Sequence, residues 1–493
     1  MMPLPLSLPP SDLILMALVI PFVGAVLIAL AGRWPNIREM VTLVTAVSLA
    51  VVVWSLIPVL QEGGRPELKL IEMLPGLSIA FKVEPLGMLF AALASLLWIV
   101  NSVYSIGYMR GNNEQNQTRF YVCFPIALMA AMGVAFSGNL LTLFILYEVL
   151  TISTYPLVAH KGDAATVRSA RVYMGILLGT SIGLFLPAMI WTYSLAGTLD
   201  FTPGGILEGK IAEPLVGVLM LMYAFGIGKA ALMPVHRWLP AAMVAPTPVS
   251  ALLHAVAVVK AGVFTITKVF VYIFGIDFLF NQPSHKLIIW IACFTIVVSS
   301  FIALRQTNLK RLLAYSTIGQ LSYIVLAAAV LKPLSEVGAS MHMMAHGFGK
   351  ITLFFAAGAI YVASKKTDIT EMRGIGRRMP WTMAAFSVGA LSMIGIPPTG
   401  GFISKWYILG GAIQDDNYIA LATLVASTLL NAAYFLPFIF AAFLYEEDVK
   451  PKKDHGEAPW PMVLALTTTA LLTFAFFLFH QPIADLEAQI LVK

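Results

Sequence analysis

His342, His346 and Lys350 stand in the run "HMMAHGFGK", spaced i, i+4, i+8. On an α-helix that spacing lines them up along one face. Histidine changes charge near neutral pH, and an amine in apolar surroundings releases its proton more readily than one in water. A stripe of both types suits a proton relay. The same H-x-x-x-H spacing fits two metal ligands. Carboxylates and thiols do not accompany it, however, and a lysine shares the face, which disfavours zinc. No metal site and no cofactor are expected in this chain.

A second run, "FGIGKAALMPVHRWLP", puts Lys229 five residues before Pro234 inside an apolar stretch. A proline within a helix removes a backbone hydrogen bond and clashes with the preceding turn. Pro234 is thus expected to free the carbonyl of Ala230, next to Lys229. In a bilayer, broken backbone survives only where it is buried in protein or lines a wet cavity. "ALSMIGIPPTGGFISKWYILGG" repeats the arrangement, with Pro397, Pro398, Gly400 and Gly401 followed by Lys405. Gly347 and Gly349 would let the helix of His342 and Lys350 unwind locally too, so breaks are expected in the seventh, eleventh and twelfth spans. Two interrupted helices with one lysine each are what an internal repeat with half-helices at the midplane gives. A faint repeat agrees: "NLLTLFILYEVL" from Asn139 can be laid on "NLKRLLAYSTIG" from Asn308. Lys229 then follows its asparagine by 90 residues and Lys405 by 97.

The elements that must position these residues are plain from composition. The 493 residues are 59% hydrophobic and 11% charged, against about 25% charged in ordinary soluble domains. Apolar runs of about 20 residues, each long enough to cross a bilayer core, recur along the chain. About fourteen spans are expected, giving an all-α polytopic membrane protein. A β-barrel is excluded, because its strands would alternate apolar and polar residues. The loop before the third span has short alternating runs around Pro75-Gly76 and predicts a small surface hairpin. The N-terminus has no basic residue and so no signal-peptide n-region. Cys123 and Cys293 lie in apolar runs and read as small hydrophobes.

Charge is informative loop by loop. Odd-numbered connections hold 19 Lys and Arg; even-numbered ones with the C-terminus hold 7. That bias places both termini outside the cytoplasm, in a cytoplasmic membrane of bacterial type. Five lysines remain inside the bilayer: Lys229, Lys260, Lys268, Lys350 and Lys405. Each ionisable group there costs at least about 2.5–3.5 kcal/mol if left facing lipid. The lysines, with Glu148, His254, His342 and His346, must therefore face protein or water. Lys268, near the end of its span, would snorkel to the interface. Lys260 would pair silently with a carbonyl or hydroxyl, or join the relay. Lys229, Lys350 and Lys405 lie deeper, beside helix-breaking sequence, and suit a purely structural role least.

At "NLLTLFILYEVLTISTYPL", "GKAALMPVHRWLPAAMVAPTPVSALLHAVAVVKAGVF", "LKRLLAYSTIGQLSYIVLA", "HMMAHGFGKITLFFAAGAI" and "RRMPWTMAAFSVGALSMIGIPPTGGFISKWYI" the chain resembles the antiporter-like subunits. These are shared by Mrp-type sodium/proton antiporters, respiratory complex I and membrane-bound hydrogenases. The likeness covers roughly residues 80–440. The chain stops soon after its last span, without the lateral helix of the most distal complex I subunit, and is similar in length to the D-type Mrp proteins. "APTPVSALLHAVAVVKAGVF" departs from that, being closer to the A-type Mrp and distal complex I wording. The resemblance implies two inverted five-helix repeats. The expected divisions are 1–117 (three helices and the hairpin), 118–278, 279–445 and a last helix in 446–493. It also implies roles: Glu148 as the fifth-helix glutamate, Lys229 as the seventh-helix lysine and His254 as the eighth-helix histidine. Lys350, with His342 and His346, falls on the eleventh helix, and Lys405 is the twelfth-helix charge.

Physics supports those roles separately. A carboxylate opposite Lys229 favours its charged form, and drawing the two apart favours proton release onward. Sodium wants several oxygen ligands, whereas these sites are mostly lysine, so protons are expected to move here and any sodium through a partner subunit. A redox-driven pump remains an alternative, with the redox centres in partners, since the chain has no dinucleotide loop, flavin motif or iron–sulfur cysteines. A transporter of organic substrates lacks a substrate-sized polar cluster. An inert scaffold leaves the cost of the buried lysines unexplained. Partners are expected to be membrane subunits, not nucleic acid.

Overall fold

A computed structural model describes residues 8–74, 76–447 and 456–491. Lys450, Lys452, Lys453 and Lys493 of the charge count lie outside the described residues. Among the described residues, eleven helices are long and apolar enough to cross a membrane. They include α1 (Pro10–Leu30), α2 (Pro35–Gln61), α3 (Pro85–Gly111), α4 (Gln117–Ala135), α5 (Leu140–Val158) and α6 (Ala164–Ala196). Three further stretches are interrupted. One begins with α7 (Glu213–Gly226) and another contains α8 (Val258–Val269). Then come α9 (His285–Leu304), α10 (Leu309–Val330) and α11 (Pro333–Ser364). The third interrupted stretch is α12 (Pro380–Ile394) followed by α13 (Gly400–Gln414). Helices α14 (Tyr418–Leu444), α15 (Trp460–Leu478) and the short α16 (Gln481–Ala488) complete the chain. Counting each interrupted stretch as one crossing would give the expected fourteen.

Local sequence explains where helices start. Proline stands in the first turn of α1, α2, α3, α7, α11 and α12, where its missing N–H costs nothing. Asn139 caps α5 by accepting from Thr142 N–H, and Asn308 caps α10 by accepting from Arg311 N–H. Each of these asparagines also forms an isolated antiparallel bridge, Asn139 with Asp200 and Asn308 with Asp368. The two positions that the repeat superposed are therefore built alike. The hairpin is present: β1 (Glu67–Leu74) pairs antiparallel with β2 (Leu77–Lys82), closed by Lys82–Glu67 at 2.8 Å. It lies on the face that also carries α16, called here the hairpin face.

Burial separates centre from rim. In α10, 94% of the most apolar window is buried, in α3 83% and in α11 78%, against 28% in α6. Helices α3, α10 and α11 thus form the core, and α11 packs on α10, α12, α13 and α15.

Two expectations need correction. Helix α11 is not broken; it runs unbroken from Pro333 to Ser364. Its glycines serve close packing instead: a Cβ on Gly347 would sit 2.9 Å from Leu93, and one on Gly349 2.6 Å from Met393. The seventh stretch does break, but not at a proline kink. Helix α7 stops at Gly226, eight residues before Pro234, and a 3-10 turn follows at Gly228–Ala230, ended by Ala231 at φ 57°. Trp238 Nε1 donates to the Gly228 carbonyl at 2.9 Å, which supplies a partner for interrupted backbone. The eighth stretch is interrupted as well, by a π-turn at Leu252–Val256 just before α8. His254 lies in that turn; its side chain is outside the described residues.

Candidate functional site

Lys229 occupies the 3-10 turn that follows α7 and is fully buried. Its amino group donates to the Tyr147 carbonyl at 2.8 Å and to Thr151 Oγ1 at 2.6 Å, both on α5. It also lies 3.0 Å from the centre of the Tyr147 ring, a cation–π position. The backbone of α8 presses on this turn at Gly262, where a Cβ would stand 2.3 Å from Ala230 N. That contact requires glycine. Glu148 follows Tyr147 on α5, close enough to act on Lys229 through space, yet no ion pair within 4.0 Å joins them. Both Glu148 carboxylate oxygens are buried without a hydrogen-bond partner. The lysine is held by neutral oxygens, and its counter-charge stands apart.

The second group gathers on α11. Lys260 Nζ, from α8, lies 2.7 Å from His346 Nδ1. Lys350 donates to Ser316 Oγ on α10 at 2.8 Å, and the Tyr434 hydroxyl of α14 donates to the same Ser316 at 3.0 Å. His342 bridges Gln320 Oε1 on α10 at 3.0 Å and Ser404 Oγ on α13 at 2.8 Å. Gln320 Nε2 donates to the Met393 carbonyl at 3.2 Å, so its Oε1 faces His342 and His342 Nε2 carries a proton. Ser404 has one proton and two takers, His342 Nδ1 and the Gly401 carbonyl at 3.2 Å. Its rotor therefore follows the charge of His342.

Lys405 answers the broken twelfth stretch. Helix α12 ends at Ile394, and Gly395 turns away at φ 92°. The carbonyls of Met393 and Ile394 lose their helical donors, and Lys405 Nζ takes both, at 2.8 and 2.9 Å. A cavity of about 280 Å³ beside it is lined by Gly395, Trp406 and Leu424. Pro397 and Pro398 lie between the two half-helices.

The structure thus brings Lys260, His346, Lys350, His342 and Lys405 into one electrostatically connected string. Glu148 and Lys229 form a separate pair, joined to that string through α8, which carries both Lys260 and the Gly262 contact. Hydroxyl and amide partners were missed from the sequence: Tyr147, Thr151, Ser316, Gln320 and Ser404. The i, i+4 placement of Ser316 and Gln320 in "AYSTIGQ", two polar side chains one turn apart in the middle of a helix, was a readable signal. Among the described residues no group of three or more His, Cys, Asp or Glu is placed to hold a metal ion.

Lys268 does not snorkel. It is buried, pairs with Glu84 at 3.1 Å and donates to the Ser137 carbonyl at 2.7 Å. Glu84 immediately precedes Pro85 at the start of α3, a position that reads as interface. Removing one partner of such a pair strands a buried charge, at about 3–5 kcal/mol. Glu84→Ala is expected to lower the thermal unfolding temperature of the detergent-solubilised protein. The double replacement Glu84→Met with Lys268→Met should recover much of it.

Residues 137–431 match the family described as NADH:quinone oxidoreductase/Mrp antiporter, transmembrane. The chain belongs to this family. Family relatives include the N-type subunit of the NADH-quinone oxidoreductase of Desulforudis audaxviator, 32% identical over 75% of this chain and 74% of its own. The D-type subunit of the Na(+)/H(+) antiporter of Alkalihalophilus pseudofirmus is 26% identical over 96% of this chain and 97% of its own. The same fold occurs in the Mrp complex from Dietzia sp., with a TM-score of 0.87 at 20% identity, over 98% of this chain and 97% of that one.

Proposed function

We propose that this chain carries protons across the membrane as the D-type member of a multisubunit cation/proton antiporter of the Mrp kind. The observation that carries this reading is the string on α11, with Lys260, His342, His346 and Lys350 all at 0% exposure and each bonded to a side chain able to pass or accept a proton. Such groups are costly in a membrane interior, and their mutual repulsion gives each one's charge a say in the next one's. Glu148 and Lys229 form the first switch, His254 and Lys260 the passage to α11, and Lys405 the far end. The broken backbone after Gly226 and at Pro397–Pro398 supplies the hinge. The chain needs no cofactor for this, and sodium would move through a partner subunit. Both termini face away from the cytoplasm in a bacterial-type inner membrane.

A second reading has its own support. The relative with 32% identity is a quinone oxidoreductase subunit, and an archaeal membrane-bound sulfane sulfur reductase contains the same fold, TM-score 0.86. In that reading the same residues move protons and electron transfer in partner subunits drives them. Gentle extraction from the native membrane separates the two: small membrane subunits alone support the antiporter, whereas co-purifying flavin or iron–sulfur proteins support the pump. Proton carriage itself is tested by Lys350→Met in membrane vesicles holding the assembled complex. Proton flux should fall roughly a hundred-fold or more, the scale of losing a positioned proton donor. Full retention would overturn the path.

A further inference from the structure

Two buried carboxylates on the hairpin face take no part in the path described so far. Glu336 lies in the first turn of α11 at 2% exposure, and Glu487 lies on α16 at 0%. All four of their carboxylate oxygens are buried without a hydrogen-bond partner. Helix α16 packs against both α11 and α3. Ser340, one turn beyond Glu336, is the polar neighbour of the Glu487 carboxyl, and its hydroxyl is already directed to the Glu336 carbonyl oxygen at 3.4 Å. One hydroxyl thus serves a corner that holds two acids. Burying an ionised carboxylate without a partner is prohibitive, so such a group keeps its proton until a route to water or a base opens.

Position gives that proton a use. Glu336 and Lys350 are 14 residues apart, close to four helical turns, so they share one face of the unbroken α11, about 21 Å apart along its axis. The face joins the lysine string to the hairpin face. Two cavities, of about 300 and 360 Å³, lie there on either side of the C-terminal turn and share Pro203 and Ile490. Pro333, three residues before Glu336, lines the first; Gln489, two residues after Glu487, lines the second. Cavities roomy enough for water therefore reach the chain beside both acids.

We infer that Glu336 and Glu487, with Ser340, form the port by which protons pass between the α11 string and the hairpin face, and that α16 is its plug. This deepens the proton-path reading and rests on it. The other ionisable groups around the corner are already engaged or turned outward. Glu84 is held by Lys268, and Lys82 by Glu67. Arg65 donates to Gln489, and Lys332 sits over the Phe280 ring and near Asp415. Asp277 lines the first cavity, and Asp485 takes a bond from Gln481. Tyr272 lines the second cavity and interacts through space with Glu336 and Glu487. Burial pushes the Glu487 carboxyl up to about 8, opposed by Ser340; it is therefore neutral at pH 7 and ionises as pH rises past that value.

The test uses the assembled complex in vesicles, with flux and infrared spectra recorded from pH 6 to 9. Glu487→Gln and Glu336→Gln should each cut proton flux at least ten-fold. The wild type should show a protonated-carboxyl infrared band that fades as pH passes about 8 and is missing from Glu487→Gln. Glu336→Asp, which keeps an acid, should restore part of the flux lost in Glu336→Gln. Wild-type flux in both glutamine variants, with Lys350→Met inactive, would overturn the port and leave the path intact. Wild-type flux in Lys350→Met would overturn the path itself, and the infrared band would then report only a buried acid, ending the port as well.

Discussion

Lys229→Met is expected to stop proton movement through the assembled complex, by roughly a hundred-fold or more on the scale of a lost acid–base group, while leaving assembly intact. The reason lies in what holds the amine. Lys229 has no ion-pair partner; it donates to a carbonyl and a hydroxyl of α5 and lies over the Tyr147 ring. Replacing a buried charge by an apolar side chain of similar length removes a desolvation cost, and Glu148, the counter-charge that stands apart, loses no direct bond, so stability should change little. Lys229→Arg separates charge from chemistry. A guanidinium keeps the charge but does not give up its proton, and flux should be lost there too. Retained flux in the arginine variant would make Lys229 an electrostatic post rather than a proton carrier. Glu148→Gln should slow the cycle rather than end it, because the amine keeps its neutral acceptors and loses only the charge that draws a proton to it. The readouts are vesicle flux and the unfolding temperature of each variant.

The fold class was legible because burial at membrane depth imposes composition: a chain 59% hydrophobic with recurring apolar runs has few other options. The lysines were legible for the opposite reason, being expensive where they stand. What the sequence could not show is which backbone yields. Gly347 and Gly349 read as a place to unwind α11, yet they are where Leu93 and Met393 come closest. A glycine supports either outcome, and only the neighbouring helix decides. Pro234 read as the break, but α7 ends eight residues earlier, at Gly226, beside the backbone of Phe185, where a Cβ would meet Phe185 N at 2.4 Å. Lys268 read as a snorkelling side chain because its partner, Glu84, is distant in sequence. The hydroxyls of Thr151 and Ser404 are common in membrane helices, and nothing in one sequence marks these two as lysine or histidine partners.

The twelfth stretch carries the other large effect. Gly401 lies in the first turn of the second half-helix, and a Cβ there would stand 1.7 Å from the Ser392 carbonyl oxygen, a backbone atom that has no rotamer to escape into. Gly401→Ala must therefore push α13 away from α12. Overpacking of this kind costs about 3 kcal/mol or more, and a lower unfolding temperature should follow. The displacement reaches the chemistry directly. Lys405 is four residues further along α13, and its amine is fixed by the Met393 and Ile394 carbonyls that end α12. His342 is tied to the same seam through Ser404 and, by way of Gln320, through Met393. Moving one half-helix against the other should detach both groups from their oxygens and reduce flux far beyond what the loss of folded protein explains. Gly410→Ala, nine residues on, is the control: its Cβ would meet only the end of the Leu334 side chain at 3.1 Å, which can turn aside. If Gly401→Ala and Gly410→Ala behave alike in both flux and unfolding, the seam between α12 and α13 does not position Lys405. If flux falls in Gly401→Ala alone, the break at Pro397–Pro398 is the element that sets where the last lysine stands.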